Sequence, residues 1–244
     1  MPAGTATLYR MVFDTHVCPY GLKARHLLRA RGYQVDDHHL HDRAETDAFK
    51  AEHNVATTPQ IFVGGTRIGG YDALRRHFGL AVADPNAVTY RPVVALFAMA
   101  AAMALAASWA AYGTLLTIRA GEWFVGIATM LLALQKLRDI DGFATMFLGY
   151  DLLARRWVPY AYLYPFAEAL AGLLMIAGAL RWIAAPIALL IGGIGAVSVF
   201  HAVYIQKRDL KCACVGSGSN VPLGFVSLTE NLLMVAMAFW MIAK

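Results

Sequence analysis

Five apolar segments follow Arg91-Pro92, at approximately 93–118, 122–138, 159–181, 183–206 and 222–243, and they restrict the fold more than any other feature of the chain. About 18 or more apolar residues suffice to cross a bilayer as a helix. Inside hydrocarbon the backbone must satisfy its own hydrogen bonds, which a helix does within one segment. Residues 89–244 are therefore expected to form an all-α transmembrane bundle of about five helices. The second segment is the doubtful member: its apolar stretch from Trp123 to Leu137 covers only roughly 22 Å at 1.5 Å per residue.

Charge argues that it crosses. With five spans and an inner N-terminus, the inner loops hold Lys136, Arg138, Arg155, Arg156, Lys207, Arg208 and Lys211, and the outer turns only Arg119 and Arg181. That distribution obeys the positive-inside tendency. The expectation is an inner (cytoplasmic) membrane protein with its N-terminal part in the cytoplasm and its C-terminus on the opposite side. About 141–157 reads as an amphipathic helix on the inner surface, with Phe143, Met146, Phe147, Tyr150 and Leu153 set against Asp151, Arg155 and Arg156. The formal charge of +5 comes largely from cations flanking apolar segments, so it does not indicate nucleic acid. The start, Met1 to Arg10, leads into a polar region and lacks the pattern of a secretory signal.

Residues 1–88 are polar by comparison and carry their own α/β pattern. Leu8–Phe13 reads as a buried strand and Asp14–Val17 as a loop. Cys18-Pro19-Tyr20-Gly21 opens a helix to about Arg31, with Leu22, Leu27 and Leu28 on its apolar side. A strand at Tyr33–His39 and a helix at Arg43–His53 follow. Thr58–Val63 and Thr66–Ile68 form a hairpin around Gly64-Gly65, and a helix over Asp72–Phe78 closes the unit. A βαβ unit followed by a hairpin and a helix is a thioredoxin-like plan.

Three cysteines are too few for a disulfide framework, so reactive thiols are the expectation. Cys18 at a helix start meets unpaired backbone N–H groups and the positive dipole end, which favour a nucleophilic sulfur. Pro19 suits the first turn, where its missing N–H has no partner to lose. The run Asp36-Asp37-His38-His39-Leu40-His41-Asp42 contains metal-ligand types, but adjacent strand residues point apart, so it reads as a solvated edge and no metal site is expected.

On these residues the stretch from Leu8 to Phe78 resembles a glutaredoxin. The matching pieces are Cys18-Pro19-Tyr20, Thr57-Thr58-Pro59-Gln60-Ile61-Phe62, and Gly64-Gly65 followed by Ile68-Gly69-Gly70-Tyr71-Asp72. The resemblance implies glutathione as co-substrate, Cys18 as the attacking thiol and a cis bond before Pro59. It also implies a glutathione site made by Tyr20, Thr58, Pro59, Gly70, Tyr71 and Asp72. Gly21 stands where many relatives have a second cysteine, which restricts the unit to monothiol chemistry. The usual lysine before the active site is absent; Arg10, Lys23 and Arg25 are the candidates to take over its contact with the glycine carboxylate. One thiolate per chain does not complete a four-thiolate site, so an iron–sulfur cluster is not expected.

In the apolar part, Lys136-Leu137-Arg138-Asp139 with Gly142-Phe143-Ala144, Phe166-Ala167-Glu168-Ala169-Leu170-Ala171-Gly172-Leu173-Leu174, and Cys212-Ala213-Cys214 before the last helix resemble the DoxX and MauE-like membrane families, over about 122–243. The resemblance implies a four-helix bundle with a leading helix added, and in the MauE-like branch an association with disulfide chemistry. Cys212 and Cys214 lie among Lys207, Arg208 and Lys211, and positive surroundings favour thiolates; soft-metal binding is the competing use of the same sulfurs. Glu168 and Glu230 are costly in a membrane and belong in a bundle interior; with His201 they are candidates to line a site.

Together these features point to a membrane-integrated, glutathione-dependent thiol–disulfide oxidoreductase in which Cys18, Cys212 and Cys214 are catalytic. Its expected partners are glutathione, thiol or disulfide substrates and the lipid bilayer, with no nucleic acid. A transporter or receptor for a thiol conjugate or soft metal is the alternative. Oligomeric state is not legible.

Overall fold

The computed structural model describes residues 4–82, 84, 87–213 and 220–244. The chain divides into two compact units, Met1–Pro85 and Asn86–Lys244.

In the first unit β1 (Thr5–Phe13) is the central strand, because its alternation buries Ala6, Leu8 and Arg10 on one side. It pairs parallel with β3 (Gln34–Leu40) and antiparallel with β4 (Gln60–Val63), which in turn pairs with β5 (Thr66–Gly69). The segment expected as a loop after β1 includes a two-residue strand, β2 (His16–Val17), folded back onto Val12 and Phe13. Helix α1 (Pro19–Ala30) crosses between β1 and β3, and α2 (Arg43–Glu52) and α3 (Tyr71–His77) follow in chain order. The core is Ala6, Leu8, Ala24, Leu28, Ile61 and Leu74. The buried stripe of α1 is Gly21, Ala24 and Leu28, and Leu22, expected on the apolar side, is 40% exposed. This arrangement is the thioredoxin-like fold.

The second unit is helical. Among the described residues, four helices are long and apolar enough to cross a membrane: α4 (Arg91–Tyr112), α7 (Pro159–Ala177), α8 with its π-helical extension (Arg181–Ile205), and α9 (Phe225–Ala243). The first ends earlier than expected because Gly113 adopts a left-handed conformation, φ +66°. Helix α5 (Ile118–Leu137) correspondingly starts earlier, with Thr117 Oγ1 accepting from the Ala120 N–H. Its 20 residues reach about 30 Å, but Arg119, Glu122 and Lys136 keep it out of the apolar class.

The expected surface helix is also different. Helix α6 covers only Ile140–Leu148, and Phe143, Phe147 and the following Tyr150 are buried against Tyr160, Tyr164, Ile191 and Val199 rather than presented to lipid. Glycines set the closest helix approaches. A Cβ on Gly126 would lie 3.1 Å from the Gly172 carbonyl oxygen, and one on Gly172 2.9 Å from that of Gly126, so α5 and α7 meet backbone to backbone. Gly192 of α8 likewise meets the Asn231 backbone carbonyl of α9 and Gly195 the Asn231 side chain, whereas Gly193 faces open space.

Candidate functional site

Cys18 is the N-cap of α1, where the first backbone N–H groups lack intrahelical partners. Its own N–H donates to the Met11 carbonyl at 3.1 Å, which ties the cap to β1, and the residue is 3% exposed. Several residues of the expected glutathione site are brought together. The Thr58–Pro59 bond is cis. Gly70 packs so that a Cβ would lie 3.6 Å from the Pro59 carbonyl oxygen. The Tyr20 and Tyr71 rings are 6.3 Å apart, Tyr20 is exposed, and Asp72 opens α3. Thr58 Oγ1 is buried with no hydrogen-bond partner among the described residues.

The same unit holds a buried ion pair whose arginine follows from the strand alternation of β1. Arg10 donates to both Asp37 oxygens at 2.7 and 2.8 Å and contacts His39 Nε2 at 2.8 Å, while Arg25 adds a 3.1 Å bond to Asp37. Burial opposes ionisation of Asp37, but the hydrogen bonds and charge of Arg10, with His39 and Arg25, outweigh it and hold the carboxyl down at about 2. Asp37 is thus not a solvated edge residue. Arg10 and Arg25 are committed to it, whereas Lys23 lies 5.3 Å from the Tyr20 ring centroid and Arg75 5.9 Å from that of Tyr71. A Cβ on Gly21 would sit 2.7 Å from both Cβ and Cδ of Arg10. The position of the absent second cysteine is therefore occupied by the arginine stem.

In the second unit, a short antiparallel pairing holds Cys212: its N–H donates to Val221 O at 2.7 Å and the Leu223 N–H to Leu210 O at 2.7 Å. Cys212 is fully buried among Val93, Leu96, Leu132 and Val221, not exposed among cations. Arg208 and Lys211 turn instead to Gly149 O and Asn220 Oδ1. Sγ of Cys212 lies 3.0 Å from Ser227 Oγ. Cys214 falls outside the described residues.

Glu168 and Glu230 do meet, through a residue assigned above to an inner loop. Lys136 is 1% exposed, and its Nζ donates to Glu168 Oε1 and Oε2 at 2.6 and 2.8 Å and to Glu230 Oε1 at 2.9 Å. The Tyr164 ring centroid is 5.6 Å from Lys136 Nζ. Among the described residues, His201 makes no hydrogen bond to this cluster. A further buried carboxylate, Glu122 near the start of α5, accepts from Arg119 at 2.6 Å and from Trp240 and Lys244 at 2.8 Å each. Among the described residues no group of three or more His, Cys, Asp or Glu side chains is arranged to hold a metal ion.

These features define a class: a thioredoxin-like thiol-redox unit joined to a multi-pass membrane helix bundle. The family described as "Methylamine utilisation protein MauE" matches residues 114–244, more than half of the chain, and the glutaredoxin family matches residues 10–68. The chain therefore belongs to the MauE family and carries a glutaredoxin domain ahead of its MauE domain. Among curated proteins, "Hybrid peroxiredoxin hyPrx5" of Haemophilus influenzae is 34% identical over 67 residues, 28% of this chain and 28% of that protein. The chain thus spans little more than a quarter of that relative. No solved structure matches the chain. A glutaredoxin domain supports thiol oxidoreductase activity in general.

Proposed function

We propose that the chain is a membrane-integrated, glutathione-dependent thiol–disulfide oxidoreductase. Cys18 sulfur attacks the glutathione sulfur of a mixed disulfide, the substrate thiol leaves with a proton, and Cys18 becomes glutathionylated. A second glutathione attacks that new disulfide, giving glutathione disulfide and restoring the Cys18 thiol. Tyr20, Thr58, Pro59, Gly70, Tyr71 and Asp72 hold the tripeptide. The observation that carries this reading is the buried, unpartnered Thr58 Oγ1 beside the cis Thr58–Pro59 bond, in a unit whose cap residue is Cys18. A buried hydroxyl left without a partner is costly, and a polar ligand would satisfy it.

In the fuller form, Cys212 and Cys214 exchange with Cys18 and couple the redox unit to the membrane. Helix α5 is a fifth span, with its charged side chains satisfied inside the bundle. Without Lys136, the inner loops still hold Arg138, Arg155, Arg156, Lys207, Arg208 and Lys211, which supports a cytoplasmic N-terminal unit and a C-terminus across the inner membrane. The test is turnover of a small glutathione mixed disulfide by the full chain in detergent. Activity abolished by Cys18→Ser supports the reading. An inactive parent protein whose vesicles take up a thiol conjugate would replace it with transport.

A further inference from the structure

The buried cluster of Lys136, Glu168 and Glu230 is unused by the chemistry above and is expensive to keep. Replacing a buried ionic triad with apolar residues is often neutral or stabilising, and ionisable groups inside a membrane bundle are functional by default. All three residues are at least 95% buried. One ammonium is shared by two carboxylates, and two carboxylates held side by side favour uptake of a proton.

The cluster adjoins the buried thiol by a traceable route. Ser227, whose hydroxyl is 3.0 Å from Cys212 Sγ, lies three residues before Glu230 on α9. That spacing puts the two side chains on one helix face, a turn apart. The rest of the neighbourhood fixes them. Asn231 Nδ2 donates to Ser227 O at 2.7 Å, Tyr164 lies 3.5 Å from Asn231 Oδ1 through its hydroxyl, and Gly195 leaves the room that Asn231 occupies. The titratable groups around Glu230 are Lys136 from α5 and Glu168, Tyr164 and, farther along, Tyr160 from α7. His201 follows α8 without a bond to the cluster.

We propose that Glu230, held by Lys136 and Glu168, is the proton acceptor for Cys212, with the Ser227 hydroxyl as relay. The inference rests on the reading of Cys212 as a redox thiol. A thiol in apolar surroundings is inert without a base, and the Ser227 hydroxyl, 3.0 Å from Cys212 Sγ, leads toward one. The Cys212 proton passes to Ser227 Oγ while the Ser227 proton passes to the Glu230 carboxylate. The freed sulfur electron pair attacks one sulfur of a disulfide R–S–S–R′, whose S–S bond breaks. Cys212–S–S–R forms and R′–S⁻ leaves to take up a proton as R′SH. Cys212 is oxidised to the mixed disulfide as R′ is reduced, and the proton count is unchanged.

The test measures, by mass spectrometry, modification of Cys212 by methyl methanethiosulfonate in the full chain in detergent, with Cys18→Ser and Cys214→Ser so that one thiol reports. Ser227→Val and Glu230→Gln each slow modification at pH 7 by about tenfold or more, the low end of general-base effects. Ser227→Thr, which keeps the hydroxyl, restores the rate, and the Ser227→Val/Glu230→Gln double variant is no slower than either alone. Unchanged rates overturn the relay. So does acceleration, the result expected if Glu230 acted only as a nearby negative charge opposing the thiolate. Failure of the underlying reading is distinguishable: it would show as unchanged glutathione-linked turnover in Cys212→Ser, whatever the modification kinetics.

Discussion

Replacing Gly21 with alanine tests why the redox unit has one thiol. The new Cβ would sit 2.7 Å from Arg10 Cβ and Cδ and 3.3 Å from Cγ, against an optimal carbon–carbon separation of about 3.5–4.0 Å. The stem has little room to retreat, because Arg10 is 3% exposed and held by two bonds to Asp37. Overpacking of this kind costs about 1–3 kcal/mol, and removing a helix-interior glycine returns about 0.5–1 kcal/mol. Gly21→Ala should therefore destabilise the unit by up to about 2.5 kcal/mol. In an Arg10→Gly background, which removes the Cβ as well as the rest of the stem, the clash disappears and the same substitution should stabilise by about 0.5–1 kcal/mol. All five tryptophans lie in the membrane unit, so intrinsic fluorescence is blind to this change. Hydrogen exchange of peptides from β1 and α1 in the full chain reads it, each kcal/mol being worth about fivefold in globally exchanging amides. Equal effects of Gly21→Ala in the two backgrounds would refute the reasoning.

Asp37→Asn should cost about 2 kcal/mol at pH 7, from a carboxyl moved from 3.8 to about 2. Because the folded value is depressed, that stability is present above about pH 4 and lost as pH falls through about 2. Calorimetry of parent and variant should show the gap in melting temperature closing over that window; a constant gap refutes it. In the bundle, Lys136→Met strands two buried carboxylates and should cost about 3–5 kcal/mol, with much of it recovered by adding Glu168→Gln and Glu230→Gln. Thermal unfolding in micelles checks this, and a Lys136→Met protein as stable as the parent sinks the pairing.

Most of the fold was legible because two periodicities were clean. The alternation of β1 and the turn residues around Gly64-Gly65 mark the redox unit, and apolar runs mark the spans. What was missed belongs to residues whose type contradicted their position. Lys136 sits beside Arg138 and Asp139 and so resembles a loop cation. Yet Thr129, Leu132, Ala133 and Lys136 share one buried face of α5, and that spacing was visible. Arg10 likewise follows Ala6 and Leu8 on the buried side of β1. Their partners were not visible: Asp37 is brought to Arg10 by the β1–β3 register, and Glu168 and Glu230 reach Lys136 from 32 and 94 residues away. Long-range pairing of charges depends on packing that no local pattern encodes. The burial of Phe143 and Phe147 was hidden for a related reason, since an amphipathic stripe looks the same whether it meets lipid or protein.

The Arg10 arrangement also bears on where the electrons go. In a dithiol relative the second cysteine resolves the mixed disulfide within the same turn of helix. Here a Cβ at that position presses on an arginine stem whose guanidinium is held by Asp37, so a cysteine there carries the same strain as Gly21→Ala. Under the proposed chemistry, Cys18 is therefore regenerated by glutathione or another thiol rather than by a neighbour in its own helix turn. The chain has only two others, Cys212 and Cys214, and it keeps the first of them against a serine hydroxyl one turn from a buried carboxylate–lysine cluster. The proposed proton relay gives that cluster and that thiol a use that anchoring alone does not.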